Sequence, residues 1–292
     1  MTAVIAPPAE RKTARPTGRR RGSRAPAGRL SPMRRVLNQT LVLAVALGVW
    51  EIAARLADVF YFPPISAIAV RAHQLWLTGP PTSFFLTPAT ADIGESLSRT
   101  LIGFVGAAFV GVTVGVVIGF LPRAGAFIEP QLHFFRGIPK SALLPLFVIF
   151  FGIDDGMKIG LIVVSLFSYV AINTIDGVRS VSPVQLEVSQ VYGIPRWAQV
   201  LHVVLPSAAP MIFAALRFGL AVALAVMVVA EMYVANSGLG YFTILSQQTF
   251  RILDMWAGVL ALGVLGNFMS IGLGLLESWI LRWHRGMQGL QE

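Results

Sequence analysis

Few residues in this chain are able to carry chemistry, and their spacing narrows what they could do. Cysteine is absent, so no disulfide, thiolate ligand or cysteine nucleophile is available. His73, His133, His202 and His284 lie far apart and fit no metal-ligand spacing. A phosphate-binding loop needs Lys directly after Gly, whereas Lys12, Lys140 and Lys158 follow Arg11, Pro139 and Met157. No nucleophile and base pair up in the sequence, so neither a catalytic residue, a metal site nor a cofactor is expected. What remains is polarity inside apolar runs: Arg217 and Glu231 in one run, and Asn173 and Asn267 in two others. A charge at such a place is costly and faces a cavity or a partner. Arg217 either attracts an anion or pairs within the bundle, and Glu231 is either a residue of the mouth or gate or a fixed helix-end contact. Asn173 and Asn267 either bond between helices or line a path.

The elements that must position these residues follow from composition. The 292 residues are 55% hydrophobic and 13% charged, with mean hydropathy +0.71, where soluble domains carry about 25% charged residues. That balance predicts an all-α, polytopic membrane bundle. Six spans are expected, at about 36–57, 100–121, 141–152, 157–178, 207–233 and 253–283. The third is short, and extending it back crosses Gly137-Ile138-Pro139, which predicts a broken helix. Gly103, Gly106, Ala107, Gly111, Gly115 and Gly119 give the second span a small-residue stripe suited to close helix packing.

The net charge of +9 is local, because ten of the 23 Lys and Arg residues fall between Arg11 and Arg35. Residues 1–31 read as a disordered basic tail and 32–292 as one transmembrane domain. Arg19-Arg20-Arg21 resembles a twin-arginine signal, but no cleavage pattern follows, so the first span is expected to be retained. Short cytoplasmic loops are rich in Lys and Arg, which puts both termini inside, together with Arg123, Arg136, Lys140, Arg179, Arg196, Arg282 and Arg285. Asp154 and Asp155 fall outside. Arg55, Arg71, Arg99, Lys158 and Arg251 lie on the outer side and run against the rule. Residues 64–77 form an amphipathic outer helix by their apolar spacing, and Asn236–Gly240 followed by 241–250 is placed to cap the outer mouth.

The cytoplasmic loop 179–206 carries the clearest local signals. Ser182-Pro183-Val184-Gln185 reads as N-cap, first helical Pro and capping partner, Gly193 as a helix stop, and Pro195 as a second start. A short helix, a tight turn and a second short helix are expected before Leu205-Pro206 enters the membrane. Val184, Val188, Val191 and Tyr192 form one apolar face, and Trp197, Val200, Leu201 and Val204 another. Such a hairpin docks into a partner's groove or folds against its own bundle, and periodicity does not choose. Nucleic-acid binding is disfavoured, because Arg179 and Arg196 are its only basic residues.

Glu187-Val188-Ser189, Gly193 and Val203-Val204-Leu205-Pro206 together resemble the EAA loop of bacterial binding-protein-dependent ABC permeases. Val188 and Ser189 stand where that pattern has two alanines. From about Phe62 to Arg285 the chain is most similar to the nitrate, sulfonate, taurine and bicarbonate subgroup. The matching segments are Phe62-Pro63-Pro64-Ile65-Ser66, Ile138-Pro139-Lys140-Ser141-Ala142-Leu143-Leu144-Pro145, Asp176-Gly177-Val178-Arg179-Ser180-Val181, Val229-Ala230-Glu231-Met232 and Ser237-Gly238-Leu239-Gly240. The resemblance implies a MetI-like type I importer fold in the bacterial inner membrane and a homodimeric pore. It also implies cytoplasmic ATP-binding cassette subunits held by Glu187, Val188, Ser189, Gly193, Leu205 and Pro206, and an extracytoplasmic solute-binding protein. The implied solute is a small anion such as a sulfonate, nitrate or aromatic acid, although similar permeases also import cationic pyrimidine precursors. A gradient-driven transporter or channel without an ATPase is the competing reading.

Overall fold

A computed structural model of the chain describes residues 32–76, 78 and 88–282. The basic tail 1–31, Leu77, Trp283, His284 and Arg285 lie outside the described residues. By its contacts the chain divides into two compact units, residues 1–49 and 50–292. In the first, the described residues belong to α1 (Pro32–Ala57), where Leu41, Val42, Val45 and Val49 are exposed, as in a helix facing lipid.

The second unit continues with α2 (Ile65–Trp76), α3 (Pro88–Phe120), α4 (Pro122–Gly137), α5 (Leu144–Phe151), α6 (Asp155–Arg179), α7 (Pro183–Val191), α8 (Arg196–Gln199), α9 (Leu205–Val234), α10 (Leu239–Gln248) and α11 (Ile252–Ile280). No strand occurs among the described residues. Among the described residues, five helices are long and apolar enough to cross a bilayer, and the bent pair α4–α5 brings the total to six if it is taken as one span.

α6 is the central helix. Met157, Leu161, Ile162, Leu166, Val170 and Ala171 have no accessible surface, because α3 covers one side and α9 another. The glycine stripe of α3 sets how closely α3 approaches. A methyl group built on Gly103 would lie 2.7 Å from Ile162, on Gly111 2.7 Å from Val170, on Gly115 2.5 Å from Thr174, and on Gly119 2.7 Å from Val178. Only glycine fits at these four positions, and Ala107 between them is fully buried. The partners advance along α6 in step with the glycines along α3, so the two helices run parallel. α9 runs the other way, since Gly177 meets Ala208 while Leu166, earlier in α6, meets Gly219, later in α9.

Parallel packing of α3 and α6 means that residues 121–154 must return the chain across the full length of the seam. α4 and α5 make that return, with a 92° bend between Pro122–Gly137 and Lys140–Phe151. Pro139 sits at the bend, followed by a single 3₁₀ turn at Lys140–Leu143. The expected break in the third span is thus present. The backward extension of that span across Gly137-Ile138-Pro139 is α4 itself, so the broken pair begins well before the expected Ser141.

α3 also begins well before the expected Thr100. Asp92, Glu95 and Arg99 lower its hydropathy, yet the helix continues through them because a clasp neutralises them. The Arg99 guanidinium donates to Glu231 Oε1 (2.9 Å), Asp155 Oδ1 (2.8 Å), Glu95 Oε2 (2.7 Å) and both oxygens of Ser237. Glu231 is fully buried and also accepts from the Ser96 hydroxyl (2.7 Å) and the Gly240 amide (3.0 Å). The Ser96 hydroxyl in turn accepts from the Leu239 amide, and Asp92 from the Gly238 amide. One end of α3, α6, α9 and α10 is thereby tied together. Gly238 is required twice: its φ of +107° disfavours a side chain, and an added methyl would meet the Glu231 carboxylate at 2.4 Å.

α2 packs on α11 through Ile68 and an Arg71–Asp254 ion pair. That pair holds the Arg71 guanidinium charged, its pKa raised chiefly by the hydrogen bond to Asp254. Glu51 accepts from the Ser66 amide (3.0 Å) at the first turn of α2, where a carboxylate satisfies an otherwise orphan donor. The five basic residues that oppose the charge rule are all paired with carboxylates: Arg55 with Glu51, Arg71 and Arg251 with Asp254, Arg99 within the clasp, and Lys158 with Asp155.

Two substitutions test this framework by thermal unfolding in detergent. Gly115→Leu should destabilise by about 3 kcal/mol or more through overpacking, while Gly263→Leu, which has no atom within 4 Å of the added carbon, should be near neutral. Glu231→Ala should destabilise by about 3–5 kcal/mol, the cost of removing one partner of a buried ion pair, and Glu231→Gln should recover part of the loss.

Candidate functional site

The loop between α6 and α9 folds as a helical hairpin. α7 begins at Pro183 as expected, but the Ser182 side chain makes no capping hydrogen bond. Proline at the first position already removes one orphan donor there. The stop is set by Gly193, at φ +67°. Ile194 donates to the Ser189 carbonyl (3.0 Å) and Gly193 to the Gln190 carbonyl (2.9 Å), the two bonds of a Schellman ending.

The second half departs from expectation. α8 does not end before the membrane. It runs through a π turn at Val200–Val204 directly into α9, so Arg196–Val234 forms one long helical stretch. Pro206 supplies the reason. A proline inside a helix lacks its amide hydrogen and crowds the carbonyl four residues back, and widening the preceding turn relieves both. Leu205 and Pro206 therefore lie within a helix rather than at the start of one.

The two residues that replace the alanine pair point in different directions. Val188 is about half exposed (48%), and Ser189 is buried (3%). The Ser189 hydroxyl donates to the Leu186 carbonyl (2.7 Å) and accepts from the Gln199 side-chain amide (2.6 Å), which also reaches the Leu186 carbonyl (3.3 Å). Ser189 thus fastens α7 to α8. Gln199, buried as its partner, was not singled out by the sequence. Its signal was a lone amide between the apolar positions Trp197 and Val200.

The outer surface of the hairpin is apolar. Val184, Val191, Tyr192, Trp197 and Leu201 are all more than half exposed, and a cavity of about 710 Å³ opens between Val184, Val188, Tyr192, Ile194, Val203 and Pro206. Glu187 is exposed beside it, with no hydrogen bond or ion pair among the described residues. Val200 and Val204 turn inward instead, and Val204 is 1% exposed. The chain therefore does not cover the hairpin's apolar face with its own described residues. This surface offers hydrophobic area and one free carboxylate, the chemistry of a docking knob rather than of catalysis.

The structure does not gather the four polar residues inside the spans into one site. Glu231 is locked in the clasp. Arg217 on α9 pairs with Glu277 on α11. Asn267 on α11 is exposed and makes no hydrogen bond among the described residues. Asn173 lines a cavity. Its amide donates to the Tyr169 carbonyl (2.9 Å), and with Arg136, Tyr169, Ala214, Ala215 and Phe218 it borders about 420 Å³. Arg136 lies over the Tyr169 ring at 5.8 Å, and the Tyr169 and Phe218 rings are 5.3 Å apart.

Arg136 is thus far from where the sequence placed it. At 1.5 Å per residue, Tyr169 is about 15 Å from Arg179 and about 21 Å from Asp155 along α6, so Arg136 sits at mid-depth and not with Arg123 at one face. The reason is α4 itself, which meets Arg179 at Glu129 and two turns later, about 10 Å further along its axis, brings Arg136 to Tyr169. Arg179, at the hairpin end of α6, pairs with Glu129 on the same helix α4.

Known proteins share both sequence and architecture with this chain. Its sequence is 33% identical over 250 residues to the taurine transport system permease protein TauC of Escherichia coli, covering 84% of this chain and 89% of that one. It is 30% identical to the putative aliphatic sulfonates transport permease protein SsuC of Bacillus subtilis, over 85% and 88% of the two chains. It is 30% identical over 281 residues to the bicarbonate transport system permease protein CmpB of Synechococcus elongatus, over 92% and 99%. Among solved structures, the MetNI methionine ABC transporter in an inward-facing conformation superposes with a TM-score of 0.56 at 18% identity, covering 70% of this chain and 99% of that one. That match gives the fold, a MetI-type permease bundle. With residues 97–284 matching the family pattern itself, the chain belongs to the binding-protein-dependent transport system inner membrane components.

Proposed function

We propose that this chain forms the translocation pathway of an ATP-driven importer for a small anion. In this reading two copies make the pore in a bacterial plasma membrane, with both termini cytoplasmic. ATP-binding cassette subunits grip the hairpin of residues 182–206, and an extracytoplasmic solute-binding protein delivers the solute at the clasp end. The chain itself hydrolyses nothing.

The observation that carries the reading is the hairpin. It is built and stopped by its own hydrogen bonds, yet presents Val184, Val188, Tyr192 and Trp197 to the outside and joins α9 without a flexible break. An apolar, rigidly mounted projection beside an unpaired Glu187 suits a groove on a partner. Glu187, Val188, Gly193, Leu205 and Pro206 are its contact and shaping residues in this reading, and Ser189 holds it together. The substrate class rests on the relatives, whose names give taurine, aliphatic sulfonates and bicarbonate. All three carry an oxyanion group. Arg217 and Glu231 act structurally in this reading, through the Arg217–Glu277 pair and the clasp, and Asn173 faces the path.

Uptake into proteoliposomes tests the proposal. With ATPase subunits and binding protein supplied, wild type should take up solute only when ATP is present, and uptake by the permease alone would refute it in favour of a gradient-driven carrier. Gly193→Val, which strains a positive-φ stop, and Glu187→Lys should insert normally while lowering uptake by about tenfold or more, a loss on the order of 1.4 kcal/mol in coupling. Ser189→Ala should remove about 1 kcal/mol of hairpin stability, read as roughly fivefold faster amide exchange in α7 with the transmembrane helices unaffected.

A further inference from the structure

Arg136 stands apart from the other arginines of the bundle. Arg55, Arg71, Arg99, Arg179, Arg217 and Arg251 each pair with a carboxylate. Among the described side chains, Arg123, Arg136, Arg196 and Arg282 do not, and of these four only Arg136 lies near the middle of the α6 and α9 spans. An unpaired guanidinium at that depth is expensive unless it meets water or an anion. The helix break one residue further on points the same way. Gly137-Ile138-Pro139 leaves the regular hydrogen-bond ladder between α4 and the 3₁₀ turn, and irregular backbone within a membrane persists only where protein buries it or it lines an aqueous cavity.

We propose that Arg136, Tyr169, Asn173 and Phe218 form a station midway across the membrane that receives the oxyanion group of the passing solute. The proposal rests on the reading of the chain as an anion importer and assigns the residue that reads the charge. The guanidinium offers a fork of donors that matches two oxygens of a sulfonate, carboxylate or bicarbonate. Asn173 adds an amide from α6. The Tyr169 and Phe218 rings wall the cavity with apolar surface suited to a short alkyl chain. A single charge in an open cavity holds an anion weakly, as a path requires if the solute is to leave again. Lipid phosphates lie at headgroup depth, so the ligand comes from the pathway and not from the bilayer.

The test uses the full complex of permease, ATPase subunits and binding protein in proteoliposomes, with radiolabelled taurine, ethanesulfonate and bicarbonate as probes. The readout is solute moved per ATP hydrolysed. For whichever probe wild type imports, Arg136→Gln should lower that ratio by about 10- to 100-fold, the usual loss when a charged hydrogen-bond donor is removed, and Arg136→Lys should restore most of it. Asn173→Leu fills the same cavity without touching the charge and should lower the ratio as well, so it decides the matter if Arg136→Gln cannot be purified. A ratio within twofold of wild type in Arg136→Gln overturns the station while leaving the importer intact. Equal loss in Arg136→Gln and Arg136→Lys together with dissociation of the ATPase subunits also overturns it, since that marks a structural arginine. Wild type importing only solutes that carry no oxyanion group overturns the anion reading itself, and the station with it.

Discussion

The absence of side chains at Gly103, Gly111, Gly115 and Gly119 lets α3 lie against α6 at a distance no other residue allows. Without a hydrophobic force between helices in lipid, such close contact supplies much of the association energy through dispersion. It also has a topological consequence. Because the seam is parallel, the intervening segment must travel back along its whole length, and that segment is where the broken helix, Pro139 and Arg136 are found. The irregular part of the molecule is thus a product of its most regular contact.

The second constraint is electrostatic. Apart from Arg136, charge within the bundle is admitted in assembled sets, the largest, at one end, joining Glu95, Arg99, Asp155, Lys158 and Glu231. Its desolvation is offset by amide and hydroxyl donors from Ser96, Ser237 and Gly240, the condition under which a buried ion pair is tolerated. The set ties four helices at one end of the bundle. At the other end the charges are sparser and the hairpin projects, so the two ends have different character: one bound tightly to itself, one presenting surface.

Much of this was legible in the sequence. The apolar runs marked the helices, Gly-Ile-Pro marked the break, the glycine stripe marked a close-packed face, and Pro183 and Gly193 marked both ends of α7. What failed did so for identifiable reasons. Hydropathy cannot know that Arg99 and Glu231, more than a hundred residues apart, cancel one another, so α3 was begun too late and Glu231 kept two readings. The charge rule also grouped Arg136 with Arg123 at one face, because it counts basic residues along the chain and takes no account of how far α4 carries Arg136 along α6. Capping rules located α8 but not its fusion to α9, since the π turn is a response to Pro206 and proline is ordinarily read as a boundary. The roles of Val188 and Ser189 needed three dimensions. Neighbours in sequence, they point about 100° apart around one helix, and only the position of Gln199 shows which is inside.

The fusion of α8 to α9 has a mechanical side. Thirty-nine residues of continuous helix, about 58 Å at 1.5 Å per residue, make a stiff rod whose one end carries the hairpin and whose other end is pinned through Glu231 and Gly238. A rod anchored in this way transmits torque. Where the π turn at Val200–Val204 and Pro210, the points at which such a helix bends most readily, keep their geometry, displacing the hairpin swings the rod about its far anchorage. The largest sweep then falls at the hairpin end and the smallest at the clasp, and Phe218, between the two, moves by an intermediate amount past whatever occupies the cavity beside it.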